Sequence, residues 1–445
     1  VTKKKVLILG AAGRDFHNFN VLFRGDASID VKAFTAAQIP GIENRTYPPS
    51  LAGRLYPKGI PIISEDELTS AMEKHSIDAV VFSYSDVSHE RVMHLASTAL
   101  SNGADFMLPG PRSTMLKSKR PVVSVTAVRT GCGKSGISRY AARIARSSGL
   151  KPVIMRHPMP YGDLEKMRVQ RFASRGDLAG KNLTIEEREE YEPIVTEGFV
   201  VYAGVDYAEI LRAAEKESDL IIWDGGNNDF SFIKPDLSIV VLDALRPGHE
   251  TLFHPGETNL RSADLVVINK ADMASTATVK LMKESVRLHN PKAKAVKLRS
   301  RVTVENGPAL RSKKVLVIED GPTLTHGGMS VGAGTVAARE SGAVPIDPLP
   351  FAKGSIRTFL EERPMKLVPA MGYSAKQIKE LAETINSAVC DAVLVATPVD
   401  LSSLIKINKP AMQVRYEVEE IDEQESLRKN IETFLKRAFR GGRKK

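Results

Sequence analysis

The stretch Val122-Val-Ser-Val-Thr-Ala-Val-Arg-Thr-Gly-Cys-Gly-Lys-Ser-Gly136 constrains the fold more than any other part of this chain. A run of buried-strand type ends in a glycine-rich turn. Ser138-Arg-Tyr-Ala-Ala-Arg-Ile-Ala-Arg146 then continues with apolar residues at helical spacing. Strand, glycine turn and helix in that order describe a phosphate-binding P-loop. The N–H groups of Thr130, Gly131, Cys132, Gly133, Lys134, Ser135 and Gly136 would meet the positive end of the helix there and favour anionic phosphates. Lys134 would reach the terminal phosphates and the Ser135 hydroxyl would sit on Mg²⁺. The full pattern asks for a glycine where this chain has Val128.

Two later segments give the loop its context. Asp219-Leu-Ile-Ile-Trp-Asp224 is an apolar strand capped by an acid, the pattern that holds Mg²⁺ beside a P-loop. The following Gly225 and Gly226 let backbone approach a phosphate, and Asp229 could position a nucleophile. Ala263-Asp-Leu-Val-Val-Ile-Asn-Lys-Ala-Asp272 supplies another strand, ending in the tetrad Asn269-Lys-Ala-Asp272. A carboxylate such as Asp272 can accept both N1–H and N2–H of guanine, whereas adenine presents an acceptor at N1. Asn269 would hold the loop and Lys270 would cover the base. The expected cofactors are Mg²⁺ with GTP or ATP.

Residues 1–115 alternate strand and helix signals, a Rossmann-like α/β pattern. Gly10-Ala-Ala-Gly13 follows the first strand, but Phe16 replaces the third glycine of a dinucleotide fingerprint, and the second strand ends without a ribose-binding acid. These glycines are read as serving packing or a phosphorylated ligand. In Tyr84-Ser-Asp-Val-Ser-His89, the residues Ser85, Asp86 and Ser88 are read as helix caps; the alternative is a metal at His89, Glu90 and His94. The basic stretch before Pro121 marks a boundary. The expected fold is α/β in three domains: a Rossmann-like one over 1–118, a P-loop NTPase domain with a mostly parallel sheet over 119–312, and a C-terminal α/β domain over 313–445.

Residues 157–198 have few strand signals and read as an inserted loop and helix. Their acidic run, Glu186-Glu-Arg-Glu-Glu-Tyr-Glu192, is expected to be a solvated helix face. Further on, a strand empties into a loop with Glu319, Asp320, Thr323, Thr325 and His326. His326 could be a general acid or base, a metal ligand, or a hydrogen-bonded loop histidine.

No apolar run approaches the ~20 residues that cross a bilayer. The first apolar run ends in a glycine turn and reads as a strand, not a signal peptide. Two cysteines, Cys132 and Cys390, cannot build a disulfide framework and fit a reducing cytoplasm. The net charge of +10 raises nucleic acid as a partner, yet six basic residues lie in the last ten and no acidic one accompanies them. The tail is read as frayed and solvated, which argues against nucleic acid.

Taken together, Gly10-Ala-Ala-Gly-Arg-Asp-Phe16, Tyr84-Ser-Asp-Val-Ser-His89, Val128-Arg-Thr-Gly-Cys-Gly-Lys-Ser135, Arg156-His-Pro-Met-Pro-Tyr-Gly-Asp163, Asp224-Gly-Gly-Asn-Asn-Asp229 and Glu319-Asp-Gly-Pro-Thr-Leu-Thr-His-Gly-Gly328 span the chain. It resembles the archaeal and bacterial predicted GTPases grouped with cyclic 2,3-diphosphoglycerate synthetase. The resemblance implies a cytoplasmic, dimeric P-loop enzyme that closes 2,3-diphosphoglycerate into its cyclic anhydride with ATP and Mg²⁺. The tetrad argues for GTP.

The reaction expected is phosphoryl transfer to a small anionic phosphorylated acid. Lys134, Asp224, Arg129, Asp229 and His326 are the candidate catalytic residues. Arg156, His157, Arg246, His249, Glu319 and Asp320 are the candidate acceptor-side residues. The rival is a GTP-gated switch or metallochaperone acting on a protein partner; a weaker one is an RNA-associated GTPase using the basic tail.

Overall fold

The computed structural model describes all residues except 1, 12, 38–41, 158, 160–161, 182, 227, 305–306, 322–331, 373 and 440–445. His326 and the end of the basic tail therefore lie outside the described residues. Contacts divide the chain into two compact units, one of residues 1–171, 200–297 and 422–445, the other of residues 172–199 and 298–421.

The first unit contains two sheets. β1 (Lys4–Leu9), β2 (Ile29–Ala36), β3 (Thr46–Tyr47), β4 (Ile60–Ser64), β5 (Ala79–Phe82) and β7 (Asp105–Met107) form one sheet in the order β3-β4-β2-β1-β5-β7, parallel except at β3, while the short β6 (Val87–Ser88) stands outside it. The strands are near-continuous apolar runs because helices cover both faces of a parallel sheet.

The second sheet of this unit holds β8 (Val122–Ala127), β9 (Pro152–Arg156), β10 (Val169–Phe172), β11 (Val200–Gly204), β12 (Leu220–Asp224), β13 (Leu237–Asp243) and β15 (Leu265–Asn269), while β14 (Phe253–His254) pairs with β6. The order is β10-β11-β9-β12-β8-β13-β15, and β8, β9, β12, β13 and β15 run parallel. β8 lies between β12 and β13, so the turn after β8 opens beside the ends of both. Register matters here: Asp224 pairs with Arg156 across β12 and β9, and Asp243 with Asn269 across β13 and β15.

In the second unit, β17 (Lys314–Glu319) is central. Parallel to it lie β18 (Val344–Pro345), β19 (Val368–Pro369) and β20 (Ala392–Val395), and β21 (Ala411–Glu420) continues from β20. Residues 298–304 of β16 (Lys294–Val304) pair antiparallel with β21. The helix Ile185–Thr196 belongs to this unit, where Ile185 joins the core of Leu316, Ile318 and Val395.

That helix corrects the sequence reading. Glu186, Glu187, Glu189 and Glu192 are all buried, not solvated. Thr184 and Glu187 form a reciprocal capping box at its start, which accounts for one of the four.

Candidate active site

The P-loop is held by side chains from four directions. Gly131 and Gly133 adopt φ of 79° and 96°, and a Cβ at Gly133 would overlap Asn269 Nδ2. Asn269 Nδ2 instead donates to the Cys132 carbonyl at 2.9 Å. Lys270 Nζ donates to the Gly131 carbonyl at 2.9 Å and pairs with Asp243 at 2.8 Å. Arg246 donates to the Thr130 carbonyl at 2.7 Å and also pairs with Asp243. Burial opposes ionisation of Asp243, but Lys270 and Arg246 together hold its carboxyl below the usual range. With the Thr130, Gly131 and Cys132 carbonyls so engaged, none of the three competes for the N–H groups that follow in the turn.

The fourth brace comes from the loop after β5. Asp86 Oδ1 accepts from Arg129 Nε at 2.5 Å and Oδ2 from the Thr130 N–H at 3.1 Å. Arg129 also donates to His249 Nδ1 at 2.8 Å and lies over the Phe253 ring at 3.6 Å. Burial, then Arg129 and Arg246, push the His249 pKa down and keep its imidazole neutral. Asp86 was expected as a helix cap; at the start of the helix His89–Ser101 Ser88 makes the capping contact, accepting from the Arg91 N–H. Arg129, expected among the catalytic residues, and Arg246 and His249, expected on the acceptor side, here have partners within the loop and its braces.

Val128 explains the missing glycine. It is buried, its carbonyl accepts from Asn228 Nδ2 at 2.9 Å, and Gly256 packs so closely on its backbone that a Cβ there would overlap. No positive φ is required at Val128, which is absent from the left-handed positions.

On the other side of the loop, β9 and β12 bring Arg156 and Asp224 together. Arg156 Nη1 lies 2.6 Å from Asp224 Oδ2 and 3.3 Å from Ser135 Oγ, with Arg156 and Asp224 both buried. The Arg156 carbonyl accepts from the Tyr207 hydroxyl. Ser135 and Asp224 fit a Mg²⁺ site in their chemistry: a hydroxyl at a helix start faces a buried carboxylate, and the space between them already attracts a positive charge. Lys134, at the start of the helix Lys134–Ser147, is buried with them.

Asp229 is fully buried and pairs with Arg14 at 2.5 Å, while His157 Nδ1 stands 3.2 Å from its other oxygen. Burial works against its ionisation, but Arg14 and then His157 hold Asp229 below the usual carboxylate range. A side chain at Gly226 would collide with the His157 ring. Arg14 is braced in turn by the Phe230 carbonyl and the faces of Phe230 and Phe232. It lies in the helix after β1, so the N-terminal sheet contributes directly to this site.

The glycine turn after β1 has a different role. Asp15 Oδ1 accepts from the Gly13 and Phe16 N–H groups at 3.0 and 2.7 Å. Its own carboxylate thus occupies amides that would otherwise suit an anion.

Asp272 of the tetrad is exposed, apart from the inward-turned Asn269 and Lys270. Among the described residues no group of three or more His, Cys, Asp or Glu is placed to hold a metal; His89 and His94 stand 3.7 and 3.6 Å from Glu257 and Glu90. Burial pushes the Cys132 thiol up despite Arg246 nearby. In the second unit, Glu319 is buried and accepts from the Thr335 N–H at 2.9 Å at a helix start. No helix among the described residues is long and apolar enough to cross a membrane.

Sequence reasoning missed Asp86, Asp243 and Arg14. Asp243 carried a signal, an acid at the end of an apolar strand. Asp86 and Arg14 carried none, because their partners lie 43 and 215 positions away.

The nucleotide-binding domain model of the CobW/HypB/UreG family matches residues 219–297, from β12 through β15. The chain is 59% identical to the arginine synthetase ArcE of Thermococcus kodakarensis, over 98% of this chain and 97% of that one. It is 25% identical to a cyclic 2,3-diphosphoglycerate synthetase of Thermococcus sibiricus, over 48% of this chain and 53% of that one. Among solved structures, LpxK of Aquifex aeolicus with ATP aligns with 84% of this chain and 99% of its own at a TM-score of 0.42 and 14% identity.

Proposed function

The chain belongs to the family of the arginine synthetase ArcE, and we propose that it forms arginine at the expense of a nucleoside triphosphate. The carrying observation is identity that runs the length of both chains, together with a P-loop whose Thr130, Gly131 and Cys132 carbonyls are each held by a side chain. The finer architecture, a Rossmann-like N-terminal part serving a P-loop part, belongs to this proposal.

The chemistry follows from what a P-loop can supply. Arginine differs from its ureido counterpart, L-citrulline, by a nitrogen in place of the ureido oxygen. That oxygen is a poor leaving group. Transfer of the γ-phosphoryl to it, releasing the nucleoside diphosphate, converts it into phosphate; ammonia then forms the C–N bond and phosphate departs. Lys134 and the amides of residues 131–136 would hold the phosphates. Ser135 and Asp224 would hold Mg²⁺, which when bound neutralises charge on the transferring group. Arg156, His157 and Asp229 line the acceptor side, while Arg129, Arg246, His249, Asn269 and Lys270 hold the loop in shape. Asp272 is proposed to read the base, with GTP favoured over ATP.

Closure of 2,3-diphosphoglycerate is the second reading, favoured by the 25% match over about half of each chain. It shares the activating step and differs in the displacing group. A metal-delivering GTP switch ranks below both, because burial keeps the Cys132 thiol protonated.

The test is incubation of the protein with Mg²⁺ and ATP or GTP, with L-citrulline and ammonium in one arm and 2,3-diphosphoglycerate in the other. One arginine per nucleoside diphosphate supports the proposal. A cyclic phosphate product without arginine would favour the second reading, and slow hydrolysis indifferent to both would sink the two together.

A further inference from the structure

Arg156 stands among oxygens that suit a metal ion. Its Nη1 lies 2.6 Å from Asp224 Oδ2, 3.3 Å from Ser135 Oγ and 3.5 Å from the Gly225 carbonyl. A carboxylate, a hydroxyl and a carbonyl are ligands of the kind that hard divalent cations take. Asp224 is fully buried, and its Oδ1 is sealed from water without a hydrogen-bond donor. The guanidinium therefore supplies Asp224 with charge but leaves one of its two oxygens unserved.

The backbone beneath this arginine is pinned. The register of β9 with β12 sets Arg156 opposite Asp224, and the Arg156 carbonyl accepts from the Tyr207 hydroxyl. The following N–H, that of His157, donates to the Asp224 carbonyl at 3.3 Å. Any movement therefore belongs to the side chain, a long stem of rotatable bonds ending in five N–H donors. Two cations cannot share the same carboxylate and hydroxyl at this range without strong repulsion. If Ser135 and Asp224 are to hold Mg²⁺, the guanidinium has to leave them, and its charge then needs another anion. The γ-phosphoryl group is the anion that arrives with the metal, and the planar fork of an arginine matches its oxygens.

We propose that Arg156 exchanges partners: it holds Asp224 until Mg²⁺–nucleotide binds, then moves onto the γ-phosphoryl group that is transferred. There it meets the charge that builds as the bond to the nucleoside diphosphate breaks and the bond to the ureido oxygen forms. Arg156 neither gives nor takes a proton in that step. One residue thus keeps the buried acid charged beforehand and serves the transfer afterwards, and it is released only by a complete Mg²⁺–nucleotide. This rests on the reading of the chain as a phosphoryl-transferring synthetase, and gives Arg156 a role beyond lining the acceptor side.

A crystal structure of the wild-type protein with Mg²⁺ and the β,γ-imido analogue of ATP or GTP tests the exchange. Arg156 Nη1 is expected beyond about 4 Å from Asp224 Oδ2 and within about 3 Å of a γ-phosphoryl oxygen. Arg156 still paired with Asp224 beside a bound Mg²⁺ overturns the proposal. Calorimetric titrations with ADP and GDP, each in Mg²⁺ and in EDTA, give a second readout free of turnover. Arg156→Gln should enlarge the gain in affinity that Mg²⁺ brings by about tenfold or more, because no cation has to be displaced. Arg156→Lys keeps the charge and should show a gain within severalfold of the wild type. Both variants should cleave nucleotide at least about 10²-fold more slowly in a single turnover. An arginine that only supports the fold would leave the Mg²⁺ gain of Arg156→Gln equal to that of the wild type, and this result also overturns the proposal. A wild type that binds none of these nucleotides would instead overturn the synthetase reading, and the exchange with it.

Discussion

Arg156 Nη1 stands 2.6 Å from Asp224 Oδ2 and 3.3 Å from Ser135 Oγ, so a protein guanidinium lies between the hydroxyl and the acid proposed to hold Mg²⁺. Asp224 is fully buried and needs a positive neighbour. Arg156→Ala should therefore cost about 3–5 kcal/mol of stability in metal-free buffer, the penalty for stranding a buried charge. Saturating Mg²⁺–nucleotide should recover more stability in this variant than in the wild type. Denaturant melts with and without Mg²⁺–nucleotide measure both; an equal gain in the two proteins would remove Asp224 from the metal site.

Lys134 begins the helix after the loop, where terminal phosphates would lie. Lys134→Ala should lower nucleotide cleavage by about 10²-fold or more, the usual loss of a preorganised charge at a transferring group. Single-turnover cleavage of γ-labelled nucleotide would show it. A change of less than severalfold would mean that the loop binds phosphate without taking part in transfer.

Asp272 is exposed, so changing it should disturb stability by no more than about 0.5 kcal/mol. If it accepts from guanine, Asp272→Asn should reduce the preference for GTP over ATP by roughly 10–100-fold, the loss of a charge-assisted bond. Competition binding of the two nucleotides reads this directly. An unchanged ratio would assign base choice elsewhere.

Glu319 gives a pH signature. Burial raises its pKa from the model-peptide 4.5 to about 7, although the Thr335 and Gly334 N–H groups pull it back. Between these values the folded chain keeps a proton that the unfolded chain has released. Its contribution is therefore full below about pH 4.5 and falls as pH rises to about 7, by at most about 3 kcal/mol. Glu319→Gln should remove that fall and gain on the wild type in melting temperature as pH rises. A constant difference across the range would contradict the shift.

How much was legible depended on how far apart in sequence the partners lie. The P-loop, Asp224 and Asn269-Lys-Ala-Asp272 are local patterns, each set by a strand and the turn that ends it. The α/β class with largely parallel sheets followed from the same alternation. The braces were not legible. Arg14 meets Asp229 and Asp86 meets Arg129 only through tertiary packing, and Arg156 meets Asp224 only through the register of β9 with β12. The acidic run misled because its acids occupy more than one face of the helix, so no polar stripe separates a solvent side from a core side. Burial of Glu186 and Glu189 is set by the surrounding unit, where Ile185 is anchored among Leu316, Ile318 and Val395.

In the proposed reaction the nucleotide's phosphoryl group goes to an oxygen of the substrate before nitrogen replaces it. Turnover of L-citrulline labelled with ¹⁸O at the ureido position, with ammonium and Mg²⁺–nucleotide, tests it most directly. One ¹⁸O is expected in each inorganic phosphate, in step with arginine. Phosphate that carries no label while nucleotide is consumed would contradict it.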